Sequence, residues 1–160
     1  MKPESVTVKN LEAAFAGESM AHIKYRYFAK IARTAGDVET AKVFEETAAQ
    51  EVQHAFGHLD LLYPPRDMTP ARALEMAIAG ETYEYTEMYP NFRHLAEQEG
   101  NHAAVAEMDE QIAESKEHAA RFQETLKKAA KRFAALAKVE ERHAYQYRAQ
   151  LAKTSEGVKA

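Results

Sequence analysis

The chain has 160 residues and carries 21 Lys and Arg against 25 Asp and Glu, a formal net charge of −4 with both signs interspersed. That balance gives no support for a nucleic-acid or anionic-membrane partner, and the absence of cysteine excludes disulfides, iron–sulfur centres and any thiolate-held electron carrier. The N-terminus lacks a signal-peptide core and no run approaches the roughly 18 apolar residues of a membrane span, so no membrane is expected and the expected setting is the cytoplasm.

A single helical domain over 1–153, followed by a flexible tail over 154–160, is expected from the long helical periodicities. The first helix should run from Val6 to Thr34 and end at Ala35-Gly36. Its inward stripe reads Leu11, Phe15, Glu18, His22, Tyr25, Ala29, Ala32. Asp37 then caps a second helix that reaches Tyr63, where Pro64-Pro65 stops it, because proline lacks the backbone donor and disfavours helical geometry in the residue before it. This stripe reads Phe44, Thr47, Glu51, His54, His58, Leu61. Thr69-Pro70, a cap followed by proline in the first turn, opens a third helix whose stripe is Leu74, Ala77, Glu81, Glu84, Met88. Pro90 should kink that helix or interrupt its hydrogen bonding, and Gly100 should end it.

Residues 101–126 form a further helix by pattern, with Val105, Met108, Ile112, Ser115, Ala119, Phe122 and Leu126 inward. A serine holds the central place that a carboxylate takes elsewhere, so this helix is read as structural, and Glu114 and His118 are assigned to a solvated face. The last helix, from Lys127 to Lys153, carries Phe133, Leu136, Glu140, His143, Tyr147 and Leu151. Its window 140–147 echoes 115–122, as if a helix had been duplicated and its first copy had lost a glutamate. The expected fold class is all-α: an antiparallel four-helix bundle with an additional helix.

Carboxylates in the middle of apolar stripes are expensive to bury unless they are paired or bind a cation. Glu51-x-x-His54 and Glu140-x-x-His143 each place two donors one helical turn apart, where both can grip one ion. One such pair alone is a weak signal, since both residue types are common on solvated faces. Two pairs, each in the middle of a stripe and accompanied by Glu18, Glu81 and Glu84, are not. This inventory fits the pattern of ferritin-like carboxylate proteins, one Glu from each of two helices and a Glu-x-x-His from each of two others, with Glu84 left over. Oxygen donors with a few imidazoles suit iron or manganese better than structural zinc. Five carboxylates nearly balance either two divalent ions or two trivalent ions with an oxo bridge, so the site can change oxidation state with little change in buried charge. From the residues alone, Tyr25 and Tyr89 read as packing tyrosines whose hydroxyls find a partner, His22 and His58 as satisfied interior histidines, and His94 and His102 as surface residues.

The chain resembles the rubrerythrins through Gly17-Glu18 and Tyr25, Glu51-x-x-His54, the string Ala79-Gly80-Glu81-Thr82-Tyr83-Glu84-Tyr85-Thr86-Glu87-Met88-Tyr89-Pro90, and the final Glu140-x-x-His143. The resemblance covers nearly the whole chain apart from an apparent insertion of about one helix before the last pair. It implies a non-haem diiron site in a form without the rubredoxin domain of typical members. Glu51 and Glu140 would bridge the irons, Glu18 and Glu81 would be terminal ligands, and His143 would hold one iron. The other iron would move between Glu84 and His54 with redox state, and Tyr25 and Tyr89 would hydrogen-bond the carboxylate shell. The implied activity is reduction of hydrogen peroxide to water in oxidative-stress defence, with electrons from an external donor such as a rubredoxin or a reductase and a proton from a glutamate or a tyrosine. The implied assembly is a homodimer, with helices exchanged between subunits in some members. Three other readings stay open: a ferritin-like ferroxidase that stores iron, an oxygen-reducing oxidase on the same site, and a non-redox structural bundle.

Overall fold

The computed structural model describes residues 5–157, and all regular elements among them are helical. The chain forms two compact units, Met1–Met68 and Thr69–Ala160. The first is a helical hairpin of α1 (Val6–Thr34) and α2 (Val38–Leu62), followed by a 3₁₀ turn at Pro65–Asp67. The second contains α3 (Pro70–Tyr83), a π-helical turn at Glu84–Met88, α4 (Tyr89–Gln98) and α5 (His102–Gly157). No described helix is long and apolar enough to cross a membrane.

Both hairpin turns use one device. After α1, Gly36 adopts φ 84°, its N–H donates to Arg33 O, and the Asp37 N–H donates to Ala32 O. After α4, Gly100 adopts φ 70°, its N–H donates to Glu97 O, and the Asn101 N–H donates to Ala96 O. These paired bonds close a Schellman motif, in which a left-handed residue lets the last carbonyls find donors. In each turn the next residue then caps the following helix, Asp37 Oδ1 accepting from Thr40 N and Asn101 Oδ1 from Ala104 N. One helix therefore ends and the next begins within three residues, which forces the two to pack side by side. The Thr69 cap, which accepts from Arg72 N, and Pro70 in the first turn of α3 are also as expected.

Close packing follows from small residues. The buried apolar residues among those described are all alanines, among them Ala29, Ala32, Ala41 and Ala48 in the first hairpin. Arg33 ties the two helices of that hairpin, donating from Nε to Glu45 Oε1 at 2.7 Å and from Nη2 to Glu45 Oε2 at 2.6 Å, the fork geometry that guanidinium and carboxylate share. Arg93 links α4 to α5 by a single bond, donating from Nε to Asp109 Oδ1 at 2.6 Å, while its Nη1 donates to Glu97 Oε2 on its own helix at 3.2 Å.

The structure departs from expectation along the last third of the chain. Residues 101–126 and 127–153 are one continuous helix of 56 residues. No glycine, proline or capping residue separates them; Lys127-Lys128-Ala129-Ala130 are strong helix formers. Thr154 to Gly157, expected to begin a tail, belong to α5, and the expectation for 158–160 lies outside the described residues.

Replacing Gly100 with alanine would place a Cβ in left-handed backbone and should destabilise the fold by roughly 1–2 kcal/mol, read as a lower midpoint in urea. The Arg33 hydrogen bonds hold the Glu45 carboxyl below its ordinary range, and the backbone N–H of Thr40 does the same for Asp37. A carboxyl depressed in the folded state contributes stability above its unfolded pKa of about 4 and loses it as pH falls through the folded value. A Glu45→Gln chain should therefore melt below the wild type at neutral pH, with the gap closing as pH falls below that range.

Candidate metal centre

Glu18 lies near the middle of α1, and Glu51 and His54 lie at the middle of α2. One donor atom from each lies within 4.8 Å of the others, and this is the one convergent group of metal-type side chains among the described residues. The His54 Nδ1–H donates to Glu51 Oε2 at 2.8 Å and stands 3.7 Å from Glu18 Oε2. A carboxylate can only accept, so this contact places the ring proton on Nδ1. Glu51 is the most enclosed of the three, with 14% of its side chain exposed against 57% for His54. Two carboxylates converging beside an imidazole make an oxygen-rich donor set, and such sets suit iron and manganese.

Neighbouring side chains brace this group. Tyr25 packs on Phe44, with ring centroids 5.9 Å apart, and Phe28 meets Phe44 edge-on at 5.6 Å. His22 donates from Nδ1 to Ala48 O at 2.7 Å, so it is a satisfied interior histidine as expected. Phe15 and His22, placed by periodicity on the same stripe as Glu18, instead line a separate apolar groove with Ile23, Val52, Phe56 and Leu59.

The second unit gathers another set. Ser115, buried in α5, donates from Oγ to Glu84 Oε2 at 3.1 Å, and His118 Nδ1 stands 3.5 Å from Glu81 Oε1. Glu81 Oε2 is buried with no hydrogen-bond partner, and an orphaned carboxylate oxygen is what a site awaiting a cation presents. Both Glu81 in this set and the convergent trio on the hairpin thus fit a bound metal. His118 is exposed, as expected of a solvated face, yet it also reaches Glu81 because it adjoins the buried seam residue Ala119. The echo of 115–122 in 140–147 was the signal that could have found it, since His118 stands where His143 stands in the second copy. Glu114 is exposed, as expected.

The π-helical turn aims the aromatic end of this set. Pro90 has no N–H to offer, and the ladder widens just before it, with Tyr89 N–H donating to Glu84 O five residues back. Thr82 and Thr86 turn their hydroxyls onto Ile78 O and Thr82 O, a back-bond that bends helices. The expected interruption at Pro90 is thus a wide turn, and it brings Tyr89 toward the carboxylates. Burial pushes the Tyr89 phenol above its ordinary range, and the negative charges of Glu84, Glu81 and Glu107 push it further. Glu140 and His143 are both exposed on the last part of α5, and within this unit Glu81 and Glu84 meet Ser115 and His118 instead of that pair.

A family model described as rubrerythrin matches residues 9–126. The chain belongs to the rubrerythrin family. It is 39% identical over 130 residues to a rubrerythrin of Nitratidesulfovibrio vulgaris, covering 74% of this chain and 68% of the relative. Against a rubrerythrin of Porphyromonas gingivalis the identity is 38%, over 74% of this chain and 64% of that protein. A nigerythrin of N. vulgaris is 40% identical over 62% of this chain and 55% of its own length, so the chain spans between about half and two thirds of these relatives. A structure of fully reduced, all-ferrous nigerythrin aligns at 34% identity with a TM-score of 0.41, over 80% of this chain and 70% of the other. Rubrerythrin membership carries the all-α, ferritin-like fold class and implies a non-haem diiron centre in an oxidoreductase of oxidative-stress defence. The family match ends at residue 126, so Glu140 and His143 lie beyond it.

Because Glu84 raises the Tyr89 phenol by charge, a Glu84→Gln chain should ionise Tyr89 at lower pH than the wild type in an ultraviolet titration. A Glu84→Gln phenol that titrates unchanged would show that burial alone sets the shift.

Proposed function

We propose that this chain reduces hydrogen peroxide to two waters, taking two electrons from an external donor and two protons from the protein and solvent. The observation that carries the reading is the convergence of Glu18, Glu51 and His54 within 4.8 Å, in a chain whose family implies two irons. In this reading Glu18, Glu51, Glu81, Glu84, His54, Glu140 and His143 hold the metals, with manganese as the alternative to iron. When bound, an iron pair supplies the electrons and a Lewis-acid surface for both peroxide oxygens.

The protein's own part is placement and proton supply. His54 has its Nδ1 committed to Glu51 at 2.8 Å, so ligation through that nitrogen requires this contact to break; His54 is then the ligand with a choice of partners. Tyr89 has its phenol held protonated well past neutral pH by burial and by Glu84 and Glu81, which keeps a proton available beside the carboxylates. As oxygen–oxygen cleavage leaves basic oxygens, a group of this kind acts as the general acid. Glu84, which accepts from Ser115 Oγ, is read as one of the carboxylates beside that phenol, and Tyr25, tilted against Phe44, as support for the carboxylate shell. A rubredoxin or a reductase is the class of partner that would return the electrons.

Protein purified without added metal should hold about two irons per chain. After anaerobic reduction, one equivalent of peroxide should be consumed as a diferric absorption band grows, and Glu51→Ala should lose iron while keeping its helicity. Loading far above two irons per chain in a hollow assembly would favour the ferroxidase. Failure to take up iron or manganese on reconstitution would return the carboxylates to a structural role.

A further inference from the structure

The second half of α1 differs in charge from the rest of the chain. From Ser19 to Gly36 there is no Asp or Glu, while Lys24, Arg26, Lys30 and Arg33 fall within that stretch, in a chain whose net charge is −4. Arg33 is taken by Glu45 on α2. Lys24, Arg26 and Lys30 are exposed, and none of the three is ion-paired with a carboxylate among the described residues. Their charge is open to a partner.

An apolar strip runs between those charges. Ile23, Tyr27 and Ile31 follow one another at helical spacing and are 62%, 58% and 50% exposed. Lys24 and Lys30 flank Tyr27 one turn to either side. Lys30 is shared by two depressions of this surface, one with Tyr27, Ile31 and Thr34, the other with Arg26, Ala29 and Arg33. An apolar centre inside a charged rim is the make-up of a protein-binding face. A phosphate backbone would instead ask for a longer run of unpaired cations.

The exposed ring at the centre of this face leads inward. Tyr27 lies against Phe28 with ring centroids 6.4 Å apart, Phe28 meets Phe44 at 5.6 Å, and Phe44 meets Tyr25 at 5.9 Å. Tyr25 follows Glu18 by seven residues, about 10.5 Å along α1. Helical side chains lean toward the N-terminus, which for Tyr25 is toward Glu18. Closely packed rings shorten the gaps an electron must cross, because tunnelling falls off more steeply through empty space than through atoms in contact. A carrier seated over Tyr27 stands at the outer end of a packed path toward Glu18, Glu51 and His54.

We propose that a small electron-carrier protein with an acidic face docks over Tyr27 on the outer face of α1, with Ile23 and Ile31 as the apolar centre and Lys24, Arg26 and Lys30 as the rim. This rests on the peroxidase reading for the purpose of the contact, though not for the contact itself. A carrier that brings one electron must leave before the next arrives, so its interface is small and its encounter is steered by charge. Two such encounters, each oxidising one carrier molecule by one electron, return the two electrons that one peroxide removes.

Titration of metal-free protein with an oxidised, acidic rubredoxin, followed by nuclear magnetic resonance, tests the docking. The perturbed amides should cluster over residues 23–31, and binding should weaken as salt rises. A chain carrying both Lys24→Glu and Lys30→Glu, of unchanged helicity, should bind roughly tenfold more weakly, whereas Lys127→Glu on α5 should bind as the wild type does. No binding at low salt, binding that ignores the charge reversal, or equal binding to an oligonucleotide or to vesicles containing phosphatidylserine overturns the proposal. So does a dimer that Ile31→Glu splits in light scattering, which would show a second copy on this face. Protein that takes up no iron yet binds rubredoxin in this way would sink the peroxidase reading while leaving the docking in place. Peroxide reduction by limiting rubredoxin that the charge-reversed chain performs undiminished would overturn the docking and leave that reading standing.

Discussion

Everything in this molecule answers to the cost of keeping carboxylates inside helical stripes. A buried carboxylate without a partner is among the most expensive groups a protein can hold, and this chain places Glu18, Glu51, Glu81 and Glu84 where neighbouring residues are apolar. Each finds a different accommodation. Glu51 and Glu18 converge on His54, Glu84 accepts from Ser115, and Glu81 faces His118 with one oxygen while the other has no hydrogen-bond partner. These contacts are local and polar, and they leave the set open to a cation that would compete for the same oxygens.

The rest of the fold supplies precision for those contacts. Alanine seams bring the helices close, the guanidinium fork of Arg33 and the single bond from Arg93 to Asp109 fix their lateral position, and three-residue turns keep sequence neighbours side by side. The π-helical turn adds a local correction. Regular α-helical spacing sets Glu81 and Glu84 on one face but carries a residue five positions on to another side. Widening the ladder at Glu84–Met88 brings Tyr89 back toward the carboxylates. Such bulges recur at functional positions, and here the proline that follows supplies a mechanical reason for one.

Much of this was legible in the sequence. Helix ends marked by Ala35-Gly36, Pro64-Pro65, Thr69-Pro70 and Gly100 stand where backbone chemistry dictates, because glycine with positive φ and proline without a donor act within a few residues. The pairing of Glu51 with His54 was readable for a similar reason, since helical spacing fixes which side chains of one helix share a face, whereas the approach of Glu18 from α1 is a tertiary contact. What escaped were features set by the absence of a signal or by tertiary contact. Nothing at Lys127 says that a helix continues instead of restarting; the stripes on either side differ in content, and that difference suggested a boundary where the backbone has none. The contact of the exposed His118 with Glu81 escaped because its sequence neighbours are charged and only the approach of α3 supplies the carboxylate. The π-helical turn escaped because proline announces an interruption without saying how the chain absorbs it.

Ser115 has a consequence for how the protein comes into being. Metal sites rich in carboxylates commonly couple folding to metal supply, because the mutual repulsion of the ligands opposes collapse until a cation arrives. At the seam of α5, the place that a glutamate holds in the echoing segment is taken by a neutral hydroxyl that is buried and donates to Glu84. Three like charges at that point become two, and one of those two already has a donor. The second unit therefore has one like charge fewer to hold apart as its helices close on the alanine-lined seam.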